Sequence, residues 1–274
     1  METDPPKLRS SPAAQAFFAA LDSGAATNAS RFVQKRIQTL GWRNRYSQDE
    51  YYPVVMGPHQ FSVLQVQRGE LEGTYGTGAT VWPASMVLLK YMEKHAEKLI
   101  RNKMVVDLGS GTGITSIGAA LLGASRVICT DGEDSVVRLA QDNLEHARGQ
   151  CGDDELKMVS VEKYWWGSGP CPGESGAANL VLVSDCVLPK LYPIAPLVEA
   201  LDQLLVSEDA VAVLSYEHRH FQAYDPRDKF RELADAKGLA VVVIPPEDQD
   251  SVYSTDDIEI WHVQRRSSKH SNED

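Results

Sequence analysis

The sequence predicts an α/β fold: a mostly parallel seven-stranded sheet with an antiparallel hairpin at its edge, covered by helices on both faces. Three observations carry this expectation. Apolar strand-like runs alternate with segments of helical spacing from residue 104 onward. The first of them, Met104-Val105-Val106-Asp107-Leu108, runs straight into Gly109-Ser110-Gly111-Thr112-Gly113 and then into the helical Ile114-Thr115-Ser116-Ile117. The last two runs follow one another with no clear helix between them, which calls for an antiparallel pair at the sheet edge.

The elements follow in order. Residues 1 to about 12 are polar and proline-containing and are expected to form a loose tail. Helical spacing is present over 13–21 and 30–40. The stretch 60–67 alternates imperfectly and reads as a strand, with 68–73 as its turn toward a partner. Helical spacing resumes over 85–99 through Met86, Leu89 and Met92. Strands are then expected near 104–108, 126–130, 156–162, 179–184, 210–215, 239–244 and 258–264. Between the first two lies a helix with Ile114, Ile117, Leu121 and Leu122, stopped by Gly123. Val136, Val137, Ala140 and Leu144 mark the next helix, and the glycine- and proline-rich 167–178 reads as an exposed loop. Asp225-Pro226 opens a helix through Phe230, Leu233 and Ala234 that Gly238 closes. The expected organisation is an N-terminal extension, 1–55, one domain, 56–266, and a polar tail, 267–274. No internal repeat is found.

The 274 residues, 43% hydrophobic and 24% charged, suffice for a substantial core. A net charge of −11 argues against nucleic acid as the main partner and suits a basic protein better. Arg31, Lys35, Arg36, Arg43 and Arg45 are dispersed along a helical stretch and read as a solvated face. The four cysteines, Cys129, Cys151, Cys171 and Cys186, contain no C-x-x-C pair and read as reduced thiols. With neither a signal-peptide pattern nor an apolar run of membrane-spanning length, the expected location is the cytoplasm, with the nucleus also open.

The glycine turn carries the chemistry. Glycines at the carboxyl end of a parallel strand let a ligand approach the backbone, and the helix that follows offers unpaired N–H groups to an anionic group. A dinucleotide fingerprint would place its third glycine at Ile114, so NAD is disfavoured. No Gly-Lys-Ser/Thr follows, which excludes a P-loop. The spacing fits S-adenosylmethionine, its amino-acid end on Gly109, Ser110, Gly111 and Gly113 and its ribose on Asp131 at the end of the next strand. The alternative for Asp131 is a cap on the following helix. Tyr164-Trp165-Trp166-Gly167 follows the third strand, where an aromatic can cover the adenine, and Trp166 is the candidate. Val183-Ser184-Asp185-Cys186 ends the fourth strand beside the glycine strand, which places Ser184 with the cofactor and Asp185 near the reactive methyl. A helix cap near Pro193 is the competing role for Asp185. Glu217 reaches the same rim from the next strand. His218 and His220 lack spaced partners for a metal and read as surface histidines.

These residues resemble the seven-β-strand methyltransferases of lysine methyltransferase family 16, relatives of methyltransferase-like family 21 and of calmodulin-lysine methyltransferase. Thr77-Gly78-Ala79-Thr80-Val81-Trp82-Pro83-Ala84 is similar to the family's G-x-x-x-W-P-A signature. Val106 to Gly113 is similar to its cofactor motif, Trp166-Gly167 to its tryptophan-glycine pair, and Asp185 to the first position of its D-x-x-Y motif. The resemblance spans about residues 60 to 264. It implies a Rossmann-like class I methyltransferase fold and adds Trp82 and Asp107 to the cofactor residues. It leaves the first 50 residues uncovered, where substrate specificity can reside. One departure is Leu188 at the aromatic position of D-x-x-Y, with Tyr192 from the next turn as substitute or the aromatic wall absent.

The activity implied is transfer of a methyl group to a lysine of a cytosolic protein by a monomer, with Asp185 orienting the amine. A protein histidine or a small molecule is the alternative acceptor, and a non-catalytic interaction module is the alternative class. Ser184-Asp185-Cys186-Val187 is not the Asn/Asp-Pro-Pro-aromatic motif of amino-adenine or amide acceptors. Arginine methylation generally uses two glutamates on one loop, and only Glu217 is suitably placed.

Overall fold

A computed structural model describes residues 40–66, 76–173, 178–188, 191–219 and 225–266. The helices expected at 13–21 and 30–40, apart from Leu40, and the turn and partner expected at 68–73 lie outside the described residues.

A two-stranded hairpin comes first, β1 (Tyr51–Met56) and β2 (His59–Leu64), paired antiparallel from Tyr51 opposite Leu64 to Met56 opposite His59. Tyr52, Val54 and Met56 point inward while their neighbours face solvent, the period-2 pattern of a half-buried strand. The described partner of the expected strand thus precedes it, across Gly57-Pro58. Helix α1 (Pro83–Lys94) starts with a proline at a position whose N–H has no helical partner, and α2 (Ala96–Leu99) follows it. The single helix expected over 85–99 is interrupted at His95.

The main sheet contains β3 (Met104–Leu108), β4 (Arg126–Asp131), β5 (Val159–Lys163), β6 (Leu180–Ser184), β7 (Val211–Glu217), β8 (Leu239–Ile244) and β9 (Ile258–Arg265). Their spatial order is β5-β4-β3-β6-β7-β9-β8. The first five pair in parallel, and β9 runs antiparallel to both β7 and β8. The edge hairpin is therefore present, with the last strand lying inside it. β5 begins at Val159 rather than 156, because Leu156 is buried in the turn that precedes the strand.

The interleaved helices are α3 (Ile114–Leu121), α4 (Asp134–Cys151), α5 (Ile194–Leu204) and α6 (Pro226–Ala236). Alternate residues of each strand enter two separate cores. Val105, Val127, Leu180, Leu182, Val213 and Ile260 pack with α1, α3, α4 and the β1–β2 hairpin. Val106, Ile128, Val181, Val183, Leu214 and Trp261 pack with α5 and α6. Burial on both faces explains why these strands read as apolar runs. Asp225 accepts the N–H of Arg227 at 2.9 Å and caps α6, and Gly238 follows its last turn in a left-handed conformation.

The hairpin is tied to the glycine bend by one side chain. Asn143 on α4 accepts the Leu64 N–H at 2.6 Å and donates to the carbonyls of Leu64 and Thr112, each at 3.0 Å. This buried amide holds the bend from behind.

Candidate active site

The bend after β3 turns over Gly109 (φ +68°) and Gly111 (φ +57°), both left-handed. A Cβ on Gly109 would lie 2.9 Å from the Cys186 sulfur and 2.9 Å from the Trp166 ring. One on Gly111 would lie 2.7 Å from the Gly78 carbonyl oxygen. Bare backbone is required here by conformation and by space.

The bend forms the floor of a cavity of about 290 Å³ at the carboxyl ends of β3, β4 and β6. Trp82, Gly109, Ser110, Gly111, Asp131, Trp166, Ser184 and Asp185 all line it. Asp107, Gly113 and Glu217 do not, and each has another position. Asp107 is wholly buried beneath the bend, where its Oδ2 accepts the hydroxyls of Thr115 at 2.6 Å and Ser116 at 2.7 Å. It anchors the first turn of α3 to β3. Gly113 stands at the N-cap of α3 and faces Ala140. Glu217 turns toward Arg43, whose Nη2 lies 2.6 Å from it.

Burial pushes the Asp107 carboxyl up to about 6, against the pull of the two hydroxyl donors. Between about pH 4 and 6 the folded carboxyl therefore keeps a proton that the unfolded one has lost. Stability falls as pH rises through that window and stays at the lower level above it. Asp107→Asn has no proton to lose and is expected to gain about 3 kcal/mol on the wild type from pH 4 to pH 7. Urea-unfolding midpoints across that range check this, and parallel profiles for the two proteins would refute it.

Asp131 ends β4. Its Oδ2 accepts the Gly111 N–H and its Oδ1 the Glu133 N–H, both at 3.2 Å. Burial raises its pKa and these backbone donors oppose the rise. Helix α4 has Glu133 at its N-cap and no side-chain cap, so Asp131 does not cap it.

Aromatic side chains form the walls. The ring of Trp166 covers Gly109 and meets Tyr192 edge-on at 5.7 Å, while Trp165, 51% exposed, packs on Gly132 next to Asp131. Trp82 donates its indole N–H to the Thr77 carbonyl at 2.9 Å, and Ser85 and Ser184 join hydroxyls at 2.8 Å. Leu188 is buried in the wall, and Tyr192 comes to the cavity one turn later, its hydroxyl bonded to that of Thr77. The aromatic missing at Leu188 is thus present at Tyr192.

Asp185, at the end of β6, has φ +55° and is 5% exposed. It does not cap α5, whose N-cap is Pro193. Its Oδ1 accepts Arg219 Nη1 at 2.8 Å and the Glu217 N–H at 3.1 Å, and its Oδ2 accepts Arg219 Nη2 at 2.5 Å. Thr77, Ser85, Trp165 and Arg219 carry no signal in the sequence that marks them as site residues. Arg219 lies two residues past Glu217, and only the fold brings it to Asp185. His218 is not a plain surface histidine, since its Nε2 lies 2.8 Å from Glu259. His220 lies outside the described residues.

The arrangement fits S-adenosylmethionine: a side-chain-free cradle, a carboxylate at the end of the neighbouring strand for the ribose, and aromatic faces in the same cavity. Asp131→Ala is expected to weaken binding of this cofactor about 100-fold through loss of two hydrogen bonds to a charged acceptor. Titration calorimetry measures this, and an unchanged affinity would remove Asp131 from the site.

A doubly wound seven-stranded sheet with this bend and this acid is that of a class I methyltransferase using S-adenosylmethionine. Residues 62–231 match the family model described as lysine methyltransferase, and the chain belongs to that family. It is 30% identical over 173 residues to the mouse protein-lysine methyltransferase METTL21E, covering 62% of this chain and 68% of that one. It is 34% identical over 149 residues to protein N-lysine methyltransferase METTL21A of Danio rerio, covering 53% and 63%. It is 28% identical over 213 residues to protein N-terminal and lysine N-methyltransferase efm7 of Emericella nidulans, covering 71% and 80%. Among solved structures, a provisionally assigned SAM-dependent methyltransferase from Streptococcus mutans superposes with a TM-score of 0.51 at 11% identity, covering 78% of this chain and 55% of that one. That likeness is one of fold.

Proposed function

We propose that this enzyme methylates the ε-amine of a lysine in a cytosolic protein, working as a monomer without nucleic acid. The observation that carries the reading is that Asp185 and Tyr192 line the same cavity, in a chain of the lysine methyltransferase family. The net charge of −11 supports a basic protein partner, and four unpaired cysteines support a reducing compartment, the cytoplasm or the nucleus.

Bound S-adenosylmethionine supplies a methyl already activated on a sulfonium. The protein's work is to hold an uncharged amine in line with it. Neutralising a lysine of ordinary pKa at pH 7 costs about 4–5 kcal/mol. Burial against Tyr192, Leu188 and Trp166 lowers that cost by disfavouring the charged form. Asp185 orients the amine through an N–H and is not the base, because its charge by itself favours the ammonium.

Incubation with labelled S-adenosylmethionine and a methyl-poor cell extract, followed by mass-spectrometric mapping, tests the proposal. Label on a lysine side chain supports it. Label on an N-terminal α-amine, within the activity that the name of the Emericella relative states, on histidine or on a small molecule would replace it. Cofactor binding with no transfer to any acceptor would favour the interaction module.

A further inference from the structure

Five charged side chains join the start of the described chain to the cavity. Asp257 receives Arg43 Nη1 at 2.9 Å and Nη2 at 2.6 Å, and Nη2 also reaches Glu217 at 2.6 Å. Glu217 stands 3.6 Å from Arg219 Nη2, and Arg219 grips both oxygens of Asp185. Arg43 and Arg219 are 7% and 6% exposed. Arg43 and Asp257 both lie outside the segment that the family model matches, residues 62–231.

Only Asp185 of the five lines the cavity, and Arg219 sits behind it. A carboxylate offers about four acceptor positions. Arg219 and the Glu217 N–H take three of those on Asp185, which leaves one for an incoming amine. One acceptor suits a neutral amine, which keeps its lone pair for the methyl, and satisfies poorly an ammonium with three donors. The guanidinium also offsets the carboxylate charge that would otherwise hold the lysine protonated.

The geometry points to Arg219 as a positioning residue for methyl transfer: by occupying Asp185 from behind, it makes that carboxylate a receiver of neutral amines, and Arg43 with Asp257 anchors it through Glu217. This rests on the reading of the cavity as an amine acceptor site. The charged and titratable groups around the pair are Tyr216 and Glu217 on β7, Arg43, Asp257 ahead of β9, Cys186 and Tyr192 beyond β6, and Asp131 across the cavity. Burial raises the two tyrosines and Cys186, which favours their neutral forms. It also raises Glu217, against the pull of Arg219 and Arg43.

Removing the guanidinium raises the pKa of the bound amine, so activity moves to higher pH. The measurement is methyl transfer from tritiated S-adenosylmethionine to the acceptor band mapped in the methyl-poor extract, at pH 7 and at pH 9.5. For Arg219→Gln, the ratio of the pH 9.5 rate to the pH 7 rate is expected to rise about tenfold over wild type. Arg219→Lys keeps the charge and loses the fork. It is expected to hold the wild-type ratio at a lower kcat, and it decides the matter if the glutamine variant does not fold. An unchanged ratio in Arg219→Gln, or a ratio shifted in Arg219→Lys, overturns the inference. Wild-type transfer to lysine, measured in the same experiment, separates that outcome from failure of the function itself.

Discussion

Asp185→Ala is expected to lower methyl transfer by about 10²- to 10³-fold while leaving the affinity for S-adenosylmethionine nearly unchanged. On the reading proposed above, the cofactor is held by the bend, Asp131 and the aromatic walls, whereas Asp185, which lines the same cavity, receives the amine. The substitution also takes the counter-ion from a buried arginine, which costs about 3 kcal/mol of stability. Transfer is therefore measured at a temperature where the melting curve shows the variant folded, with Asp185→Asn alongside it to retain a hydrogen-bond acceptor. Wild-type turnover in a folded alanine variant would take Asp185 out of the reaction.

Gly111→Ala has the other large effect. The new methyl would meet the Gly78 carbonyl at 2.7 Å, and backbone yields only if the whole 76–82 stretch shifts away from the bend. The expected result is loss of cofactor binding by more than about 100-fold, with about 1–3 kcal/mol of strain. Gly57→Ala is the control, for Gly57 has φ +54° with nothing within 4 Å of the added atom. It bears the conformational cost without the collision. Melting temperature and calorimetric affinity for both variants separate the two causes, and equal behaviour would show that the close approach to Gly78 has no consequence.

What could be read from sequence was local. β3, β4 and β6 are mainly apolar because both their faces are covered, whereas β8, equally apolar, lies at the sheet edge with Val242 and Val243 exposed, and Gly123 and Gly238 end their helices through left-handed backbone. Gly109, Gly111 and Asp131 are one strand and one helix apart, so their convergence follows from the parallel pairing of β3 with β4. What escaped was long-range. Arg43 and Glu217 are 174 residues apart, and Arg43 and Asp257 are 214 apart, which leaves no periodic trace. Nothing in Tyr216-Glu217-His218-Arg219 distinguishes an arginine behind the site from one in water. Asp107 is the converse case. Its place in a motif suggested ligand contact, whereas the register of β3 turns it into the core under α3. For β2, the Gly57-Pro58 turn was the available signal that its partner comes before it.

The position of β9 bears on how the chain is made. While the polypeptide leaves the ribosome, β7 can dock on β6 at once, but its other edge stays open until residues 258–265 emerge, and β8 has no neighbour until then. A bare edge of Val-Ala-Val-Leu invites pairing with another nascent chain. A ribosome stalled or terminated shortly before Ile258 therefore releases a polypeptide that carries the cofactor cradle but has a sheet still adhesive along one side.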